Sequence, residues 1–151
     1  RPDLVVSLAS IWEITDRQLA PDGPWASIGD PEVDATLTTE LAAYTDAYAP
    51  DGIRTVWLLP PPLRNSIYAK VEGPLAEEDP ARLDRLDQLI AELAAARPNT
   101  YTYDMAAALG DRYGDPLGLV NRVDGFHWSN GGADREAAWL LPLLVSIANG
   151  T

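Results

Sequence analysis

The chain holds a single histidine, and the residues around it are the ones able to do proton-transfer chemistry. His127 lies in Arg122-Val123-Asp124-Gly125-Phe126-His127-Trp128-Ser129-Asn130-Gly131-Gly132, three positions after Asp124. If this loop curls back, the Asp124 carboxylate takes the Nδ1 hydrogen of the imidazole and leaves Nε2 free as a general base. Gly125 supplies the backbone freedom that so tight a reversal needs. Read from spacing alone, the same string is equally a histidine bonded locally beside a helix cap, because short Asp-x-x-His strings also arise by chance.

Other chemistries are narrowed by composition. One histidine makes a multi-histidine zinc site impossible, and the absence of cysteine removes disulfides, thiolate metal sites and cysteine nucleophiles. Metal-assisted hydrolysis through Glu13, Asp16 and Asp124 is a weaker alternative, since no ligand cluster has a recognisable spacing. No metal and no organic cofactor is implied. A net charge of −12 disfavours binding to a nucleic-acid backbone, which needs clustered Lys and Arg, and disfavours docking on an anionic membrane surface. No apolar run approaches the roughly 20 residues that span a bilayer.

Asp124-Gly125-x-His127, followed by Trp128-Ser129-x-x-Gly132-Ala133 and an amphipathic last helix, resembles the C-terminal block of SGNH (GDSL-type) hydrolases. The match runs from Arg122 to Leu144. It implies that Asp124 and His127 belong to a Ser-His-Asp triad with a final helix packed behind them. The family's nucleophile lies in a Gly-Asp-Ser block near the start of the domain, and this sequence contains no Gly-Asp-Ser. A second stretch, Pro2-Asp3-x-Val5-Val6, a short strand, then Trp12-Glu13-x-x-Asp16-Arg17, is similar to SGNH domains appended to acyltransferase-3-type membrane acyltransferases. Where the wider family reads Gly-x-Asn-Asp, with Gly and Asn in or near the oxyanion hole, Ser10, Trp12 and Glu13 fall at the Gly, Asn and Asp. Trp12 has no side-chain amide, so an indole or backbone N–H would have to serve as the oxyanion donor. Trp12, Trp25 and Trp128 are candidate apolar or sugar-stacking walls.

These residues must be positioned by a scaffold, and 151 residues suffice for one ordinary domain. Leu4 to Ile11 reads as a buried parallel strand, and Ile53 to Leu59 and Thr100 to Asp104 read as the second and third strands. Helical patterns from Asp34 to about Tyr48, from Pro80 through the apolar stripe Leu83, Leu86, Leu89, Ile90 and Leu93, and over about 132–148 alternate with them, and Met105 to Leu109 follows the third strand. Asp79-Pro80 forms an N-cap and first-turn pair, Ser129 caps the last helix, and Trp139, Leu140, Leu143 and Leu144 face inward. Residues 18–36 and 63–78 read as loops.

The order predicts an α/β, doubly wound three-layer sandwich with a parallel sheet, in a single domain over residues 1–151. An SGNH domain has about five strands, so the resemblance implies a flavodoxin-like fold whose first strands, and the N-terminal segment bearing the nucleophile, are missing here. Among the serines present, Ser10 at the end of the first strand is the least unsuited substitute nucleophile, though no sharply turned elbow surrounds it. The expected activity is a serine esterase or O-acyltransferase acting on small acyl esters, with O-acetyl groups of a cell-envelope glycan as one substrate class. A membrane acyltransferase domain in the same polypeptide and an extracytoplasmic location are implied by resemblance alone. The alternative is a non-catalytic binding or scaffold module on a degenerate fold.

Overall fold

The computed structural model describes residues 2–150. In chain order they form β1 (Leu4–Leu8), the single-turn helix α1 (Ile11–Ile14), β2 (Arg17–Gln18), β3 (Trp25–Ala26) and α2 (Pro31–Tyr48). Then follow β4 (Arg54–Leu59), α3 (Asn65–Ala69), α4 (Pro80–Ala95), β5 (Thr100–Asp104), α5 (Met105–Tyr113) and α6 (Asn130–Asn149). The protein is α/β, with β1, β4 and β5 forming a parallel sheet in the order β1-β4-β5.

Parallel neighbours need long crossovers, and α2 and α4 supply them. Both lie over one face of the sheet. Val33, Leu37 and Leu41 of α2 close with Leu86, Leu89, Ile90 and Leu93 of α4 around Trp57 to form the core. The Trp57 indole N–H donates to Thr45 Oγ1 at 3.3 Å, so the ring is fixed at both its apolar body and its polar edge. Side chains that share a face follow from the register, in which Ser7 stands beside Trp57 and Leu8 beside Leu58. Asp79 accepts the Ala81 N–H with Pro80 at the first helical position, and Asp104 accepts the Ala107 N–H, so α4 and α5 start where their caps dictate.

The opposite face is covered more thinly. Trp139 of α6 meets Tyr103 at 5.4 Å between ring centroids, and the Arg112 guanidinium lies 4.5 Å from the Trp139 ring. Leu140 is buried, whereas Trp139, Leu143 and Leu144 are half-buried. At the sheet margin, β1 has no strand on its outer side among the described residues, and Val6 and Leu8 are 42% and 52% exposed.

Two expected loops contain local structure. Residues 18–36 include the β2–β3 hairpin and the start of α2, which begins at Pro31 because Asp30-Pro31 is itself a helix start. Residues 63–78 include α3, ended by Lys70 in the left-handed conformation at φ 57°. Helix α5 runs on to Tyr113, where Gly114 at φ 67° ends it.

Within this frame Asp87 on α4 is half-buried, and one of its carboxyl oxygens is buried without a partner. Burial, reinforced by the charges of Asp104 and Asp84, pushes its pKa up to about 7. The folded protein then holds a proton that the unfolded chain releases above the ordinary value of 3.8. Stability should therefore fall as pH rises from about 4 to about 7 and level off above that. At about 1.4 kcal/mol per pKa unit, discounted because the side chain is only half-buried, Asp87→Asn should stabilise the fold by about 1–2 kcal/mol at pH 8. Equal thermal stability of the two proteins at pH 8 and pH 5 would contradict this.

Candidate functional site

The Asp124–His127 pair forms inside a sharply folded loop between α5 and α6. Asp124 Oδ1 accepts the backbone N–H groups of Phe126 (2.9 Å) and His127 (2.8 Å), and its Oδ2 lies 3.0 Å from His127 Nδ1. The loop does curl back, as the spacing suggests. Burial by itself would raise the Asp124 carboxyl, but the Phe126 amide, the His127 ring and the His127 amide together hold it below its ordinary value. An ionised carboxylate only accepts, so the neutral form of the ring is held as the Nδ1–H tautomer, which leaves the lone pair on Nε2. Nε2 has no hydrogen-bond partner among the described residues. The ring is held edge-on by Phe126 and Tyr68, at centroid separations of 4.4 and 4.8 Å.

What shapes the loop is a set of buried polar residues. Asp115 accepts the N–H groups of Leu117 and Leu119 and starts the turn. Gly118 carbonyl oxygen receives both Asn121 and Arg122 N–H groups, and Arg122 carbonyl oxygen receives the Gly125 N–H at 2.7 Å. Gly125 adopts φ 75°, and its carbonyl oxygen accepts the Arg64 N–H at 2.9 Å, which ties the loop to the segment leaving β4. Arg122 is 2% exposed and donates to the carbonyl oxygens of Phe126, Pro62, Leu117 and Gly125. Burial pushes its pKa down to about 10, against the opposing pull of Asp124 and Asp115, so it is cationic at neutral pH.

Asn121, fully buried, connects this loop to α6. Its amide donates to Glu136 Oε1 at 3.0 Å, which also accepts the Tyr113 hydroxyl, and its side-chain oxygen accepts from Arg135. Ser129 Oγ caps the helix by accepting the Gly132 N–H at 3.0 Å. The N-cap of α6 thereby stands two residues after His127.

His127 lines a cleft of about 220 Å³ with Leu8, Ser10, Pro60, Pro61, Leu63, Arg122, Phe126 and Trp128. This lies at the C-terminal ends of β1 and β4, the edge where open α/β sheets bind ligands. The volume is smaller than the roughly 300–1,000 Å³ of drug-sized ligand pockets, so the cleft has room for a small group only. Of the sequence candidates, Ser10, His127 and Trp128 converge there, with Asp124 behind the imidazole. Trp12 and Trp25 do not line it and are 74% and 68% exposed. Glu13 lines a separate cleft beside α2 with Ser7, Leu37, Tyr44 and Trp57, and its carboxylate accepts the Ser10 N–H at 2.7 Å. Asp16 pairs with Arg82 and Arg17 with Glu40, so both serve local ion pairs. Among the described residues no group of three His, Cys, Asp or Glu could hold a metal ion.

The arrangement can accept a proton at Nε2, stabilise the resulting imidazolium through Asp124, and return the proton to a leaving group. No hydrogen bond joins Ser10 to His127. Arg122 stands within the motif, yet its type and spacing assign it no role, and nothing in the sequence marks Asn121. An arginine and an asparagine in an apparent surface loop were the only signal, and their partners are distant in sequence. Comparison with known protein families, characterised proteins and solved structures found no match.

Proposed function

We propose that the protein is an ester-processing enzyme, a serine esterase or O-acyltransferase, in which His127 is the general base and Asp124 orients it. The observation that carries this reading is the 3.0 Å Nδ1–Oδ2 contact on a ring that lines the cleft at the strand ends and whose Nε2 is unpartnered among the described residues. The SGNH resemblance of residues 122–144 supplies the reaction class, and the parallel sheet with its C-terminal cleft is consistent with that fold. In this proposal the nucleophilic serine is supplied by a segment outside these 151 residues, and the outer edge of β1, which pairs with no strand among the described residues and leaves Val6 and Leu8 exposed, is the side on which such a segment would pair. A strand added parallel to β1 would end beside the cleft.

In this reaction Nε2 takes the serine Oγ proton while Oγ bonds to the ester carbonyl carbon, and the carbonyl electron pair moves onto oxygen. Collapse of that intermediate breaks the carbon–alkoxide bond, and the imidazolium gives its proton to the departing alcohol. Water or an acceptor hydroxyl then releases the acyl group by the same steps. Trp128 walls the cleft, and O-acetyl groups of cell-envelope glycans are the proposed substrate class, which carries with it an extracytoplasmic location. The absence of a described serine hydroxyl hydrogen-bonded to Nε2 favours one second reading, a non-catalytic binding module. Turnover of short-chain acyl esters by the protein with its natural flanking sequence separates the two. Turnover is the expected result, and its absence would overturn the enzymatic reading.

A further inference from the structure

We infer that Arg122 is a positioning residue that sets the separation and orientation of Asp124 and His127; this rests on the reading above that those two are the reacting pair. Only Gly125 and Phe126 stand between the carboxylate and the imidazole, and Arg122 holds the carbonyl oxygen of each, at 3.3 and 3.2 Å. Asp124 Oδ1 meanwhile holds the N–H groups of Phe126 and His127. The turn is thus gripped through its carbonyls by a cation and through its amides by an anion. Arg122 also reaches the carbonyls of Pro62 and Leu117, both at 3.0 Å, and the Trp128 ring lies 5.5 Å from its guanidinium carbon. One planar group therefore references the turn to the end of β4 and to the start of the loop.

An ordinary buried cation is matched by a carboxylate, yet no carboxylate lies within ion-pair distance of Arg122 among the described residues. Its charge-assisted bonds all go to peptide carbonyls, which a rigid fork can meet at fixed angles and a lysine ammonium cannot. Arg122 hydrogen-bonds neither imidazole nor carboxylate, so beyond the charge attraction of Asp124 and Asp115 its hold on the pair passes through the peptide groups.

The test compares Arg122→Lys and Arg122→Gln with the parent protein by ¹⁵N NMR of the His127 ring and by steady-state kinetics. In the folded variants the carboxylate-bonded Nδ1–H resonance should be lost. Turnover should fall by about 10²-fold with KM within about twofold, the size expected for a displacement near 1 Å. An arginine that only supports the loop would lower thermal stability while leaving the ring signature and kcat intact, and that result overturns the inference. Failure of both variants to fold overturns it as well, by making Arg122 a requirement of the fold. Should the parent show no turnover, the enzymatic reading fails, and the ring resonance alone still decides the role of Arg122.

Discussion

Asp124→Asn is expected to lower kcat for a short-chain acyl ester by about 10⁴-fold, and His127→Ala to remove measurable turnover, with both proteins folded. The asparagine retains the side-chain oxygen that receives the Phe126 and His127 amides, so the loop keeps its shape. What changes is the partner of Nδ1. An amide group in place of Oδ2 can present N–H to the ring, which moves the imidazole proton to Nε2 and removes the base. No charge remains to stabilise the imidazolium. His127 is about half-exposed and Asp124 one-third exposed, so neither substitution opens a core cavity. Measured kcat values with unchanged thermal stability are the check. A drop of less than about tenfold in Asp124→Asn would mean that the carboxylate does not orient the base.

Gly125→Ala should be the most damaging single methyl group in the loop. Gly125 is at φ 75°, and a Cβ there would collide with Arg64 Cβ and lie 2.8 Å from the Arg64 carbonyl oxygen. The left-handed backbone costs a non-glycine residue about 1–2 kcal/mol, and the forced repacking adds about 1–3 kcal/mol. A fall in Tm of roughly 5–15 °C follows for a domain of this size. The turn must also shift away from Arg64, which pulls on the carbonyls held by Arg122, so turnover should fall further than in a variant of equal stability. Gly114→Ala is the control. Its φ is 67°, and a Cβ there meets nothing within 4 Å, so only the backbone cost applies. Equal destabilisation of the two variants would show that the Arg64 contact does not constrain the loop.

The sequence disclosed what local chemistry governs. Strands β1 and β4 were legible because their apolar runs are bounded by Pro, Asp and Gly, β5 because its Thr and Tyr residues favour extended backbone, and the starts of α4 and α6 because Asp79-Pro80 and Ser129 are caps. The Asp124–His127 contact was legible for the same reason: three residues with a glycine between them form a self-contained turn. Long-range partners were not. Arg122 meets Pro62, and Asp16 meets Arg82, across the whole middle of the chain, and no spacing encodes such contacts. Trp12 and Trp25 illustrate the converse. Their ring type suggests burial or a pocket wall, yet both stand largely in solvent, because exposure depends on what packs alongside. The β2–β3 hairpin, two residues to a strand, is too short to leave a period-two pattern.

The proposal turns on whether an activated serine stands against Nε2, and covalent labelling reads this directly. The protein with its natural flanking sequence should react with a fluorophosphonate probe at one serine outside residues 1–151. His127→Ala should abolish the labelling, and Ser10→Ala should leave it unchanged. Labelling confined to Ser10 would move the nucleophile into the strand end beside the cleft. Absence of any His127-dependent labelling would contradict the triad altogether, leaving residues 124–127 as a capped loop with a hydrogen-bonded histidine.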